Sequence, residues 1–293
     1  MPKNLLVTGA NGQLGNEMRN VIANNADAPF NTFFTDVADL DITDAHAVNS
    51  FVEKNKIDVI VNCAAYTAVD KAEDDMVNCA KINIEAVTNL ASAARNYGVK
   101  IVHISTDYVF DGYNYHPYEE FEETNPKSVY GSTKLDGEKT LLKYVPDDVI
   151  IIRTSWLYSP YGKNFVKTMI SLGETRDSLN VVCDQIGTPT AAADLAAAIY
   201  KVITADEWKP GIYHFSNEGA ISWYDFTKAI HRIAGITSCN VMPIKSKDYP
   251  TRATRPFYSV LDKSKIKSSF GITIPYWEES LVKCIEAIKN QSK

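Results

Sequence analysis

Two short stretches of this chain carry side chains that could move a proton to or from an oxygen atom. Thr106 precedes Asp107 and Tyr108, and the later run YGSTK places Tyr130 four residues before Lys134. That spacing puts the phenol and the ammonium on one face of a helix. An ammonium there favours the phenolate and lowers the pKa of the tyrosine towards neutral pH, while Thr106 adds a second hydroxyl. The set suits general acid–base catalysis at a carbonyl or an alcohol.

A glycine motif near the N-terminus supplies a second component. Residues 8–15 read TGANGQLG, with G-x-x-G-x-x-G spacing between an apolar run and a helical segment. Such glycines permit a tight turn close to a pyrophosphate, and the following helix offers free N–H groups and a positive dipole end. The candidate cofactor contacts in the motif are Gly9, Asn11, Gly12, Gln13 and Leu14. With the tyrosine and lysine, the motif points to nicotinamide-dependent redox chemistry.

Asp36 follows the second apolar run and is the expected partner of the adenosine ribose. A carboxylate there accepts hydrogen bonds from the 2′-hydroxyl and repels a 2′-phosphate, which favours NADH, although NADPH stays open. The interval from the glycine motif exceeds the usual distance of about 20 residues, so a surface acidic residue is the alternative. Asp41 and Ile42 come next and could flank the adenine.

A second Tyr-x-x-x-Lys motif, Tyr224 and Lys228, has a different context. Only the first motif follows a strand that ends in hydroxyl residues, so the second is predicted to be an exposed helix pair. The residues around Thr106 also disfavour dehydration. An elimination on this scaffold would need paired carboxylates beside the threonine, and Tyr108 follows Asp107 instead.

Composition and charge exclude several classes of function. The net charge of −6, without a run of lysine and arginine, gives no reason to expect a nucleic-acid partner. The N-terminus lacks the apolar segment of a signal peptide, and no run of 18 apolar residues predicts a membrane span, so we expect a cytoplasmic protein. The five cysteines are scattered and the histidines do not cluster with them, which predicts neither disulfides nor a zinc site.

Alternating segments are needed to position these side chains. Strands are predicted at 4–8, 32–35, 58–63, 100–105 and 149–153, and helices at 13–24, 43–55, 74–97 and 130–143. Thr43 is the predicted cap of the second helix, and Gly98 ends the third. The alternation predicts an α/β fold with a Rossmann-type doubly wound parallel sheet and right-handed crossovers.

Beyond Arg153 the pattern loosens. Helices are predicted at 165–173, 191–203, 223–235 and 278–290, and a strand at 211–215. We therefore predict a dinucleotide-binding domain over 1–155. A smaller, partly interleaved substrate-binding lobe over 156–293 would send segments back to the main sheet.

Longer blocks of sequence are informative as well. They are NCAAYTAVDKAE (62–73), STDYVFDG (105–112), VYGSTKLDGEK (129–139), RTSWLY (153–158), NFVKTM (164–169), DQIGTPT (184–190) and RPFYSVLD (255–262). TGANGQLG and YGSTK resemble the extended short-chain dehydrogenase/reductase superfamily. Within it, the blocks closely resemble the dTDP-4-dehydrorhamnose reductases, nearly from end to end.

This resemblance implies reduction of the C4 ketone of dTDP-4-dehydro-L-rhamnose, a nucleotide sugar, by NADPH or NADH. Tyr130 would donate the proton to the developing alkoxide. Lys134 would tune Tyr130 and hold the nicotinamide ribose, and Thr106 would bond the carbonyl oxygen.

Further residues are assigned by the same resemblance. Asp107 and Trp156 match sugar contacts, and Trp156 is otherwise a core aromatic residue. Arg255 is the candidate for the substrate pyrophosphate because a guanidinium pairs bidentately with phosphate, with a structural salt bridge as the alternative. The turn after the third strand would contact the cofactor through Ala65, Tyr66 and Thr67.

Metal binding and assembly are less well matched. Some members of the family form a magnesium-linked dimer through glutamates, and Glu17 matches one such position, but residues 190–194 read TAAAD without a glutamate. We therefore predict no metal site, and a homodimer rests on the resemblance alone.

Two other functions stay open. One is a different nucleotide-sugar enzyme of the superfamily, such as a 4-epimerase. The other is a non-catalytic regulatory subunit like that of methionine adenosyltransferase, which resembles this family. The blocks RTSWLY and DQIGTPT favour the reductase.

Overall fold

The computed structural model describes residues 2–25 and 30–291. Met1, the first residue of the predicted dinucleotide-binding domain, and residues 292–293, the last of the predicted substrate-binding lobe, lie outside the ranges that this structure describes. Its strands are β1 (Lys3–Thr8), β2 (Phe30–Thr35), β3 (Val59–Asn62), β4 (Lys100–Thr106), β5 (Val149–Thr154), β6 (Leu157–Tyr158), β7 (Ser178–Val182), β8 (Ile186–Gly187), β9 (Thr190–Ala191), β10 (Gly211–His214), β11 (Ile221–Ser222) and β12 (Asn240–Ile244). Its helices are α1 (Gln13–Ala23), α2 (Ala45–Lys54), α3 (Val69–Ala72), α4 (Met76–Ala80), α5 (Ala86–Tyr97), α6 (Val129–Tyr144), α7 (Phe165–Thr175), α8 (Ala192–Thr204), α9 (Trp223–Ala234), α10 (Ser264–Phe270) and α11 (Trp277–Gln291).

The central sheet has six strands in the order β2-β1-β3-β4-β5-β10, and all neighbouring pairs are parallel. This confirms the predicted doubly wound parallel sheet. Both faces are covered, which explains the continuous apolar runs of the central strands β3 and β5. Leu5 and Val7 pack into the core that includes α1 and α8. Leu6 and Ile60 point to the opposite core, which includes α2 and α5.

The strand order reverses between β1 and β3. In open sheets of this kind the ligand crevice opens at the carboxyl ends of the strands at that point. The residues there are polar: Thr8 ends β1, Asn62 ends β3 and Thr106 ends β4. The fold thus brings the glycine motif and the Thr106 segment to the same edge of the sheet.

Two local predictions need correction. Asp44, not Thr43, caps α2 by accepting hydrogen bonds from the backbone N–H groups of His46 and Ala47. Thr43 is instead bonded to the Asp41 carboxylate, through its backbone N–H and its hydroxyl.

The predicted helix over 74–97 begins later and is not uniform. It starts at Met76 and passes through a π-helical turn, Lys81–Glu85, before α5. Gly98 ends it as predicted, in the left-handed conformation with φ 67°.

The second half of the chain contributes to both parts of the molecule. β10 pairs with β5, and α8 packs against α1 within the main core. A separate core contains residues of α7, α9 and α11. Among residues 156–291, small two-stranded sheets are formed by β6 with β9, β8 with β11 and β7 with β12. The boundary at 155/156 stays a prediction.

Within residues 2–25 and 30–291, no helix is both long and apolar enough to span a membrane. Over the same ranges, no group of three or more His, Cys, Asp or Glu side chains could hold a metal ion. All five cysteines are free thiols.

Candidate active site

The glycine motif forms one wall of a cleft of about 620 Å³ at the edge of the sheet. Gly9 adopts φ +62°, and a Cβ atom there would lie 2.8 Å from the backbone of Ala64, so the turn requires glycine. The loop is tied to the end of β2, because the backbone N–H of Asn11 donates to Asp36 Oδ2 at 2.9 Å. The predicted residues that line the cleft are Gly9, Asn11, Gly12, Asp36, Asp41, Ile42 and Ala65.

Other predicted cofactor contacts point elsewhere. The Leu14 side chain lies in the core between the sheet, α1 and α8, so only the backbone of Leu14 can contact a cofactor. Gln13 Oε1 accepts a hydrogen bond from Asn164 Nδ2 at 3.0 Å, which links α1 to the segment before α7. Thr67 is exposed in the turn after β3.

A buried amide supports that turn. The backbone N–H of Tyr66 donates to Asn83 Oδ1 at 2.9 Å, and Asn83 Nδ2 donates to Thr133 Oγ1 at 3.2 Å. Asn83 belongs to the π-helical turn, and π turns occur often at functional sites. No motif pointed to Asn83, or to Asn78 and Lys81, which line the cleft.

The N-terminal turn of α6 places Tyr130 in the site. Ser128 caps the helix by accepting a hydrogen bond from the Gly131 N–H at 3.1 Å. A Cβ atom at Gly131 would lie 2.2 Å from the carbonyl oxygen of Tyr108, so glycine allows α6 to approach the segment after β4. The rings of Tyr108 and Tyr130 meet edge-on, with 5.6 Å between centroids.

Tyr130 is held as a neutral phenol. Burial raises its pKa, Asp107, Tyr108 and Cys79 add to the rise, and the Thr106 hydroxyl opposes it. This differs from the expectation that the Lys134 ammonium lowers the pKa of the phenol. Lys134 Nζ instead donates to the backbone carbonyl of Ile104 at 2.6 Å.

Thr106 and Asp107 are bonded to each other at the end of β4. The Thr106 hydroxyl donates to Asp107 Oδ1 at 2.9 Å and accepts from the Tyr108 N–H at 3.2 Å. Burial raises the pKa of Asp107 to about 6, although the hydroxyls of Thr106 and Ser259 pull it down. The carboxyl is therefore mostly ionised at pH 7. Ser259 is a neighbour that sequence reasoning missed.

Trp156 lies between β5 and β6 in an uncommon backbone conformation, with φ 48°. Its ring stacks on Trp223 at 3.4 Å between centroids and 10° between planes, and it lies against Gly187. Trp223 is the first residue of α9, and nothing in the sequence linked it to Trp156. Both the predicted sugar contact and the alternative of a core aromatic are compatible with this stack.

Arg255 forms a salt bridge beside the site. Nη2 pairs with Asp70 Oδ2 at 2.5 Å, and Nη1 donates to the Tyr108 hydroxyl at 3.3 Å. The alternative reading from the sequence, a salt bridge, is therefore what this structure contains. Tyr108, whose ring meets that of Tyr130 edge-on, connects the guanidinium to Tyr130.

Two other sequence features lie away from this constellation. The second motif, Tyr224 and Lys228, is on α9, where Lys228 is exposed. Glu17 is buried, and burial together with the nearby Asp194 raises its pKa. The Asp194 carboxylate accepts hydrogen bonds from Asn217 and Ser280 and so belongs to the packing of that region.

Known proteins match this chain over nearly its whole length. The family model described as RmlD substrate binding domain matches residues 3–290. A dTDP-4-dehydrorhamnose reductase of Aggregatibacter actinomycetemcomitans is 43% identical over 286 residues, which cover 94% of this chain and 96% of that protein.

Two solved structures extend the agreement to three dimensions. The dTDP-4-dehydrorhamnose reductase of Clostridium acetobutylicum is 46% identical, with a TM-score of 0.92 over 98% of this chain and 99% of that one. The Bacillus anthracis enzyme of the same name, in complex with NADP, is 38% identical, with a TM-score of 0.93 over 98% of this chain and 100% of that one.

Proposed function

The chain belongs to the family described as RmlD substrate binding domain, and we propose that it reduces the C4 ketone of dTDP-4-dehydro-L-rhamnose to give dTDP-L-rhamnose, with NADPH or NADH. The observation that carries this proposal is the position of Tyr130. Its buried, protonated phenol lies beside the Thr106 hydroxyl at the carboxyl end of β4. The dinucleotide cleft opens at the same edge of the sheet.

The residues of the cleft fit a dinucleotide. The turn at Gly9 leaves room that a side chain would fill, and α1 begins directly after it with no acidic residue in its first turn. Its free N–H groups and the positive end of its dipole suit a pyrophosphate. Asp36 would hold the adenosine ribose of the cofactor. Ala65 would contact the cofactor from the turn after β3. When bound, the reduced nicotinamide supplies the hydride that reaches C4.

Tyr130 supplies the proton. Reduction of a ketone needs one proton at the oxygen, and a phenol with a raised pKa retains that proton at neutral pH. Thr106 contributes by its hydroxyl, which donates to Asp107 in this structure. Turned towards the ketone oxygen, the same hydroxyl would stabilise the charge that develops there.

Three side chains are proposed to hold the substrate. Asp107 is ionised at pH 7 and would accept hydrogen bonds from sugar hydroxyls. Trp156 offers an aromatic face steadied by Trp223. Arg255 would exchange its single contact with Asp70 for a phosphate group, whose oxygens can accept from both ends of the guanidinium.

The cellular setting is part of the proposal. A substrate made from a nucleotide and a soluble reduced nicotinamide is consistent with a cytoplasmic location. A homodimer is proposed on family resemblance, and light scattering of the purified protein would test it.

The decisive experiment follows oxidation of NADH and NADPH at 340 nm with enzymatically prepared dTDP-4-dehydro-L-rhamnose. We expect oxidation that depends on the sugar nucleotide and forms dTDP-L-rhamnose. A folded protein that binds the cofactor but oxidises none would contradict the proposal and favour the regulatory function. NAD that stays bound through purification would favour an epimerase, because an epimerase keeps its cofactor through a closed cycle.

A further inference from the structure

Below the catalytic residues, a row of buried polar side chains crosses three strands. The Thr8 hydroxyl donates to Asn62 Oδ1 at 2.7 Å, and Asn62 Nδ2 lies 3.0 Å from His103 Nδ1. The other ring nitrogen, His103 Nε2, lies 3.3 Å from Lys134 Nζ. All four residues are 2% exposed or less, so their polar atoms depend on one another for hydrogen bonds.

The direction of each hydrogen bond follows from the backbone. Asn62 Oδ1 also accepts from the Ala64 N–H at 3.2 Å, and a backbone N–H can only donate. The amide oxygen of Asn62 is therefore fixed on that side, and its nitrogen faces the histidine. Since an amide nitrogen only donates, His103 Nδ1 must accept. The neutral ring then carries its proton on Nε2, which faces Lys134.

This N–H discriminates between the two forms of Lys134. An ammonium has three donors and no lone pair, so it would set donor against donor across 3.3 Å. An uncharged amine has a lone pair that can accept from Nε2–H while one of its own hydrogens goes to the Ile104 carbonyl.

We propose that His103 is a positioning residue, which donates its Nε2–H to the uncharged amine of Lys134 and holds that side chain against β4 until the amine takes up a proton. Protonation removes the lone pair and with it the hydrogen bond from His103, so only the Ile104 carbonyl still holds the charged Lys134, which can then turn towards the cofactor side of the site. The inference rests on the proposed function, in which Lys134 holds the nicotinamide ribose.

The surroundings of Lys134 agree with this role. Burial lowers its pKa to about 8, against the opposing effects of Glu138 on α6 and Cys79 on α4. Glu138 is already paired with Arg153 at 2.7 Å, so its charge is largely compensated. On β4, burial holds the pKa of His103 well below its usual value and the charged form of Lys134 lowers it further, so the ring stays neutral in both forms of the lysine. Thr8 on β1 and Asn62 on β3 do not titrate near neutral pH, and the Tyr130 phenol on α6 stays protonated.

The pH dependence of cofactor binding tests the hydrogen bond between His103 and Lys134 without any turnover. The dissociation constants of NADH and NADPH would be measured by fluorescence between pH 6 and about 10. In the wild-type protein we expect binding to weaken above about pH 8, as Lys134 loses its charge. His103→Leu removes the donor, and the midpoint should rise by about one pH unit, the effect of one hydrogen bond. His103→Gln can still present an N–H and should stay closer to the wild type.

His231→Gln is the matched control, because His231 on α9 is also buried but contacts the Met169 carbonyl on α7, away from the site. It should leave the midpoint unchanged. An unchanged midpoint in His103→Leu would overturn the inference.

The wild-type protein provides a test that does not depend on folding of a variant. Long-range ¹H–¹⁵N spectra of protein labelled at histidine report which ring nitrogen carries the proton, with His103→Gln used for assignment. The inference requires the Nε2–H tautomer for His103, and an Nδ1–H tautomer would overturn it. Failure of the sugar reduction with an intact pH profile of cofactor binding would refute the proposed function and leave the role of His103 standing.

Discussion

Replacing Tyr130 by phenylalanine removes one oxygen atom from the centre of the site and keeps the ring. That ring packs edge-on against Tyr108 and forms a small cluster with Ala72 and Cys79. Those contacts do not use the hydroxyl, so the variant should fold. Because the cofactor cleft is lined by other residues, the dissociation constant for NADH or NADPH should change by less than about twofold.

The expected loss of turnover follows from the state of the phenol. A positioned general acid contributes about 10²- to 10⁴-fold, or about 3–5 kcal/mol of the barrier. Burial keeps Tyr130 protonated at pH 7, so the full effect is available to the wild-type enzyme. The nearest alternative donors are engaged, Thr106 with Asp107 and Lys134 with Ile104. We therefore expect the upper part of the range, a fall in kcat of about 10³- to 10⁴-fold.

The assay is kcat at saturating cofactor and sugar nucleotide, with cofactor binding measured separately. Tyr224→Phe is the matched control, since it removes the same atom from the second Tyr-x-x-x-Lys motif on α9, and it should leave kcat unchanged. A kcat for Tyr130→Phe within about tenfold of the wild type would refute the role of proton donor.

Other parts of the site have their own tests. Asp36→Ala should reduce the preference for NADH over NADPH in kcat/KM, because a carboxylate there repels a 2′-phosphate; an unchanged ratio would mean that another residue contacts the ribose. KM for the sugar nucleotide should rise as the pH falls below about 6, where Asp107 takes up its proton, and Asp107→Asn should abolish this dependence. Arg255→Ala should raise the same KM by about tenfold or more with little change in kcat, since a hydrogen bond to a charged group is worth about 1.5–3 kcal/mol; calorimetry with dTDP alone checks it. Gly131→Ala should lower the unfolding free energy by about 1–3 kcal/mol, because its Cβ would lie 2.2 Å from the Tyr108 carbonyl oxygen; an unchanged Tm would show that α6 can shift.

The main sheet could be predicted because each of its strands is defined by local pattern. A strand that is buried on both faces shows a continuous apolar run, and the turns beside it contain glycine or polar residues. Each element can therefore be recognised from its own segment of sequence. The same holds for the glycine motif and for Tyr130 and Lys134, whose spacing within one helix fixes their relation. The cap of α2 is not fixed by residue type, because Thr43 and Asp44 are both good caps and only the contact of Thr43 with Asp41 decides between them.

The remaining parts depend on contacts between distant segments. The short strands of the second half, β6, β8, β9 and β11, have two residues each, too few for any periodic pattern. Trp223 meets Trp156 within the second half, and Ser259 meets Asp107 across the two halves, so both contacts join residues far apart in the sequence. The π-helical turn directs Asn83 towards Tyr66. No sequence signature distinguishes such a turn from an α-helix.

The same distinction applies to the chemistry. Motifs indicate which groups are present, but their protonation depends on partners that the motifs do not contain. From its spacing, Lys134 was expected to lower the pKa of Tyr130, whereas its amine is bonded to β4 and the phenol is neutral. For a reduction this arrangement is favourable, because the acid must hold its proton until the hydride arrives. Thr106, Lys134 and Arg255 are each bonded to a protein partner, namely Asp107, Ile104 and Asp70. Ligand binding would therefore exchange existing hydrogen bonds for new ones, so that these three side chains would have partners in both the free and the bound state.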